Sequence, residues 1–185
     1  TNSYLIKGRD RNLIIDTGMK RVECKIALED ALCKLGVDLR RTDLFITHLH
    51  ADHLGLASTI ATDSSKIYFN EPDADSISQD GFWDHLARAA QQNGFPKAIL
   101  QQAIENHPGK RYLIIEKDIS FTFLGEGDKI TIGGYCFTCT ETPGHTRGHL
   151  CLYERDKKIF IAGDHILGDI TPNISCWGED ENPLA

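Results

Sequence analysis

Three apolar runs in this 185-residue chain each lead into a turn that carries metal-binding side chains, and this limits the folds available to it. Asp43 to Thr47 stops at His48, Tyr135 to Thr140 leads into Pro143-Gly144-His145, and Ile159-Phe160-Ile161-Ala162 stops at Gly163-Asp164. Short apolar runs bounded by turn residues read as strands. The chain therefore reads as sheet-built, with its chemistry in the turns that follow strands.

The remaining pattern agrees. Asn2–Ile6 and Asn12–Ile15 read as strands joined by Gly8-Arg9-Asp10-Arg11, and Lys66–Phe69, Ser120–Leu124, Lys129–Ile132 and His149–Tyr153 as further strands. Lys20–Leu35 has apolar residues at helical spacing with Gly36 as its stop, and Leu54–Ala61 reads as a shorter helix. Pro72–Gln92 and Pro96–His107 read as two helices flanking Asn93-Gly94-Phe95, so residues 71–108 form a helical insertion in a strand-rich chain. Strands, helices and strands again predict stacked layers with helices outside sheets.

Length and composition fit one globular domain, expected over residues 1–185, and the net charge of −7 disfavours a broad nucleic-acid surface. No apolar run approaches the roughly 18 residues of a membrane span. Six cysteines are too few for a disulfide scaffold of this length, and Cys24, Cys33 and Cys151 read as buried small hydrophobes in a reducing cytosol. Cys136 and Cys139 form a C-x-x-C, but in a strand, positions three apart face opposite ways, and no second pair completes a zinc site. The chain does not begin with Met, and Asn182-Pro183 reads as a helix start just before Ala185. An upstream piece and a C-terminal continuation are both expected.

His48-Leu49-His50-Ala51-Asp52-His53 places four metal-binding side chains in six positions. In extended backbone His48 and His50 share a side and can reach one ion, and a turn into a helix would re-aim Asp52 and His53 toward a neighbouring ion. The alternative is a polar loop of solvated histidines, against which the number and spacing of the ligands count. His145 offers a third ligand to the first ion, and Asp164 is suited to bridging two cations. His149 reads as packing or hydrogen-bonding beneath the site, His165 as supporting it or touching substrate, and Arg147 as a surface or orienting residue.

The ordered set H-x-H-x-D-H, P-G-H-T-x-G-H, and G-D after an apolar strand resembles the metallo-β-lactamase superfamily, as do Asn2–Ile6 and Leu13-Ile14-Ile15-Asp16-Thr17-Gly18. The resemblance implies an α/β fold, a four-layer αββα sandwich with the site at one edge. It implies two divalent metal ions, zinc ahead of iron or manganese. His48, His50 and His145 would hold the first ion, Asp52 and His53 the second, and Asp164 would bridge them. The spacing is closest to the glyoxalase II-like and lactonase-like branches. The antibiotic-hydrolysing enzymes usually lack the bridging Asp, and flavodiiron relatives usually carry Glu at the position of His50. The family usually supplies a further His to the second ion from a later loop. None follows His165 here, so that ligand is expected beyond Ala185.

These features imply a hydrolase in which water held between the ions acts as hydroxide. Asp52 and Asp164 are the carboxylates placed closest to that chemistry, and no G-x-S-x-G elbow is present. The expected substrate is a small molecule with an ester, thioester or lactone bond. Phosphodiester or RNA cleavage, iron-dependent oxygenation of a sulfur substrate, and non-enzymatic metal binding are the alternatives. Phe82, Trp83, His85 and Phe95 of the insertion are candidates to cover the pocket, with ordinary helix packing as the other reading, and residues 168–177 are candidates for its rim.

Overall fold

Leu13, Ile14 and Ile15 are all fully buried, although successive strand side chains face opposite ways. Such a strand must be covered on both faces, and the computed structural model, which describes residues 1–78, 82–112 and 119–174, shows how. The strands are β1 (Tyr4–Lys7), β2 (Asn12–Ile15), β3 (Thr42–Phe45), β4 (Ile67–Phe69) and β5 (Phe121–Phe123), then β6 (Lys129–Ile132), β7 (Tyr135–Glu141), β8 (Leu150–Glu154) and β9 (Ile159–Ile161). The first five form one sheet in sequence order and the last four another. β1 runs antiparallel to β2, while β2, β3, β4 and β5 run parallel, and the second sheet is antiparallel throughout.

Two cores follow from the alternation. Leu13, Ile15 and Phe45 pack against Ile130, Phe137, Leu150, Leu152 and Ile161 between the sheets. Ile14, Leu44, Ile46, Ile67 and Phe69 face the other way, onto helices. Those helices are α1 (Val22–Lys34), α2 (Ala51–Leu54), α3 (Ala57–Ile60) and α4 (Glu71–Ser78), which contribute Leu32, Leu54, Ile60 and Ala74. Each buried large aliphatic or aromatic side chain contributes roughly 1.5–3 kcal/mol. The expected mixed α/β sandwich is present as a helix layer and two sheets. Tyr153 and Phe160, on the far face of the second sheet, are 40% and 43% exposed, and no second outer helical layer lies among the described residues.

The helices depart from the sequence reading in informative places. Leu54–Ala61 is two short helices, the first beginning at Ala51, because the chain after β2 docks where one continuous helix would run. Leu56 N–H bonds Gly18 O, and a Cβ on Gly55 would lie 2.8 Å from Lys20 N. Pro72–Gln92 is α4 followed by α5 (Phe82–Gln92), with residues 79–81 outside the described set. Past α6 (Lys97–Asn106) a further helix, α7 (Pro108–Tyr112), packs on α2 and brings the insertion beside the metal-ligand segment.

Next to that segment the two sheets are joined through the backbone. Leu150 N–H at the start of β8 donates to Thr47 O just beyond β3 at 2.8 Å.

Candidate metal centre

Parallel strands bring the chain's polar groups to one edge, because their carboxyl ends lie side by side. Asp16 follows β2, His48 follows β3, and Asn70 and Asp73 follow β4. The second sheet adds His145 beyond β7 and Asp164 beyond β9. All six residues expected to hold metal meet there.

His48 Nε2, His50 Nδ1, His145 Nε2 and one Asp164 oxygen gather within 4.8 Å of one another. His50 Nδ1 lies 3.0 Å from both His48 Nε2 and His145 Nε2. Two nitrogens bound tetrahedrally at zinc distances would be about 3.3 Å apart. Each of the other two imidazoles is held from its far side. His48 Nδ1 bonds Thr47 Oγ1 at 3.0 Å, and His145 Nδ1 donates to the Asn173 carbonyl at 2.7 Å. These bonds leave the Nε2 lone pairs of His48 and His145 pointing inward, the arrangement a metal needs. Burial, with the neighbouring histidines, pushes His48 well below its ordinary pKa and His50 to about 4, so both rings are neutral at pH 7. Burial also lowers His145, but Asp164 and the Asn173 carbonyl outweigh it and leave His145 raised.

Asp52 and His53 form a second group. His53 Nε2 lies 3.4 Å from Asp52 Oδ2 and 3.3 Å from Asp164 Oδ1, while Asp164 Oδ2 lies 3.5 Å from His145 Nε2. Asp164 thus turns one oxygen to each group. The His145 and His53 imidazoles beside it hold its carboxyl far below the usual range. Burial would raise Asp52, yet His53 keeps it low as well. Asp16 orients the group. It accepts from His53 Nδ1 at 2.8 Å and from the Thr47 amide at 2.9 Å, and its backbone takes a left-handed φ of 57°. Burial would lower His53, but Asp16, Asp164 and Asp52 together raise it to about 11.

The donor set fits divalent ions. His53 Nε2 is buried, lies within 3.4 Å of an oxygen of both Asp52 and Asp164, and has no well-directed hydrogen-bond partner, so a divalent cation among the three groups would take the place of its proton. Three imidazoles with a carboxylate, beside an imidazole with two carboxylates, match borderline metals such as zinc.

Other sequence expectations resolve residue by residue. His149 is fully buried beneath the centre. Its Nε2 accepts the Asp164 amide at 3.2 Å, so its Nδ1 carries the proton toward Thr142 Oγ1 at 2.8 Å. His165 is exposed, its ring 6.2 Å from that of His149, and Arg147 is half-buried. Cys136 is exposed and Cys139 buried, on opposite faces of β7, and Cys151 is buried. Cys33 corrects the sequence reading: it is exposed, because α1 buries only the stripe that includes Leu32. Trp83 packs 4.9 Å from the His107 ring inside the insertion, and Phe95 is 57% exposed. The side chains of Phe82 and His85, residues 175–177 of the expected rim, and Asn182-Pro183 lie outside the described residues. Sequence reasoning assigned no role to Asp16, Thr47, Asp73 or Thr142, and placed Asn173 only within the expected rim. Asp16 carried a signal, a carboxylate directly after an apolar strand, but the others carried none.

The family profile described as Metallo-beta-lactamase superfamily matches residues 1–184. The chain belongs to that superfamily. Among curated relatives of the chain, the probable metallo-hydrolase YqjP of Bacillus subtilis is 29% identical over 92% of the chain and 54% of its own length. The human acyl-coenzyme A thioesterase MBLAC2 is 26% identical over 88% of the chain and 57% of its length, and the hydroxyacylglutathione hydrolase GloC of Haemophilus influenzae is 30% identical over 88% and 65%. The chain thus spans between 54% and 65% of the length of these relatives. A metallo-beta-lactamase family protein from Thermus thermophilus shares the fold with a TM-score of 0.75 at 24% identity, covering 99% of this chain and 60% of that one.

Proposed function

We propose that this chain carries the centre of a metal-dependent hydrolase that binds two divalent ions, zinc foremost, and cleaves an ester, thioester or lactone. The observation that carries the reading is Asp164, whose two oxygens face two separate sets of ligand atoms, one of which includes the buried His53 Nε2. His48, His50 and His145 would hold the first ion, Asp52 and His53 the second, and Asp164 both. Divalent ions in such a site supply a water of lowered pKa and a Lewis acid for the substrate's carbonyl oxygen.

The protein's own residues set up that chemistry. The low pKa values of His48 and His50 keep them available as ligands without competition from protons near pH 7. Asp52 and Asp164, held ionised, provide negative charge that retains cations and can accept a hydrogen bond from an attacking water. Asp16 and His149 fix His53 and Asp164 from behind.

The relatives named as an acyl-coenzyme A thioesterase and a hydroxyacylglutathione hydrolase support an acyl-transfer substrate over a phosphodiester. No helix among the described residues is long and apolar enough to cross a membrane. The test is metal analysis of the intact protein together with a panel of thioester, lactone, carboxylic-ester and phosphodiester substrates. Two equivalents of metal and turnover of a thioester, lactone or ester are expected. Less than one equivalent would sink the dinuclear reading, and turnover confined to phosphodiesters would move the function to nucleic-acid or nucleotide chemistry.

A further inference from the structure

Asp73 stands in the first turn of α4 and is completely buried, and its carboxylate bonds lie with Leu49, Thr146 and Gly148, none of them among the six candidate ligands. Its carboxylate nevertheless accepts three hydrogen bonds from the loops that carry them. Oδ2 takes the Leu49 amide at 2.8 Å and the Thr146 hydroxyl at 2.8 Å, and Oδ1 takes the Gly148 amide at 2.7 Å. Leu49 lies between His48 and His50, on the first sheet's side. Thr146 and Gly148 lie between His145 and His149, on the second sheet's side.

The join is tight as well as polar. A Cβ on Gly148 would sit 2.7 Å from Asp73 N and 2.8 Å from Asn70 Oδ1, so the second loop is seated directly on the start of α4. A buried carboxylate costs free energy that a neutral side chain would not, and here three donors converge on its two oxygens to offset that cost. Asparagine cannot substitute. Its amide would turn an N–H toward a loop N–H and leave at least one buried donor unpaired.

We propose that Asp73 is a positioning residue: it ties the His48–His50 loop to the His145–His149 loop and thereby sets the spacing of the three imidazoles that receive the first ion. The proposal rests on the metal-centre reading above. It assigns the distance between ligands from different sheets to a residue outside the ligand set.

The test is titration of the metal-free intact protein with zinc against a chromophoric chelator, and with cobalt followed by its visible spectrum. Asp73→Asn should weaken first-ion affinity about tenfold or more, the scale of groups that orient ligands. It should also alter the cobalt spectrum of the fraction that remains folded. Thr146→Val, which removes one of the three bonds, should weaken affinity less, with metal-free thermal unfolding close to wild type. A merely structural Asp73 would lower the unfolding temperature but leave affinity and spectrum of the folded protein unchanged, and that result overturns the proposal. If Asp73→Asn does not fold, Thr146→Val decides, and wild-type affinity and spectrum there overturn it equally. Wild-type protein that takes up neither zinc nor cobalt would overturn the centre itself and this proposal with it.

Discussion

The two halves of the centre are built on opposite electrostatic plans. The first gathers imidazoles from two sheets, and burial drives His48 and His50 away from protonation. The second comes mostly from one short segment, Asp52-His53, where three carboxylates surround one histidine and draw a proton onto it. One half is held together by geometry across the sandwich, the other by charge within a few residues. Asp164 belongs to both.

The largest effect should therefore come from Asp164→Ala. Loss of a group shared by both sets should reduce hydrolysis more than about 100-fold, beyond the 10–100-fold typical of residues that only orient ligands, and lower metal content at both positions. Elemental analysis beside kinetics checks this, and retention of both metals with full turnover would remove Asp164 from the site. Next, His48→Ala and Asp52→Ala should separate the halves, each leaving one binding phase in titration calorimetry. Identical losses in the two variants would mean that the halves do not bind independently. A smaller effect is expected of Asp16→Asn, about 10–100-fold in second-ion affinity with the first phase spared, because Asp16 acts on His53 from behind.

The pH dependence of the metal-stripped protein gives a subtler contrast. His50 titrates near 4 when folded and near 6.5 when unfolded, so the unfolded chain takes up a proton first and stability falls as pH drops from 6.5 toward 4. His53 has the reverse sign. With a folded pKa near 11, its contribution is complete below 6.5 and is lost as pH rises through 11. Thermal unfolding across pH should show His50→Ala flattening the acid limb and His53→Gln the alkaline limb. The smallest change should follow Trp83→Ala, which loosens packing against His107 and lowers the unfolding temperature by a few degrees while metal affinity stays the same. A shift in the Michaelis constant with that variant would instead place the insertion at the substrate.

What could be read from the sequence follows the same division. His48, His50, Asp52 and His53 were legible because ligand types at that spacing after an apolar strand have few other uses. Most of the strands were legible from their short apolar runs. The supporting contacts were not. Asp73 sits in a helical stretch with nothing to set it apart from a solvent-facing acid, and Asn173 acts through its backbone carbonyl, which no side-chain pattern can encode. The break at Gly55 was hidden for a similar reason, since a segment about forty residues earlier in the chain occupies the path.

The backbone bond from Leu150 to Thr47 turns these static distances into a clock. That amide can exchange with solvent only when the two sheets part beside the centre, so its exchange rate measures how often the edge opens. Ligands drawn from both sheets make any bound ion a cross-tie over the same opening. Filling the centre should slow exchange at Leu150 far more than at Leu13, deep between the sheets, whose exchange waits for the fold as a whole to come apart.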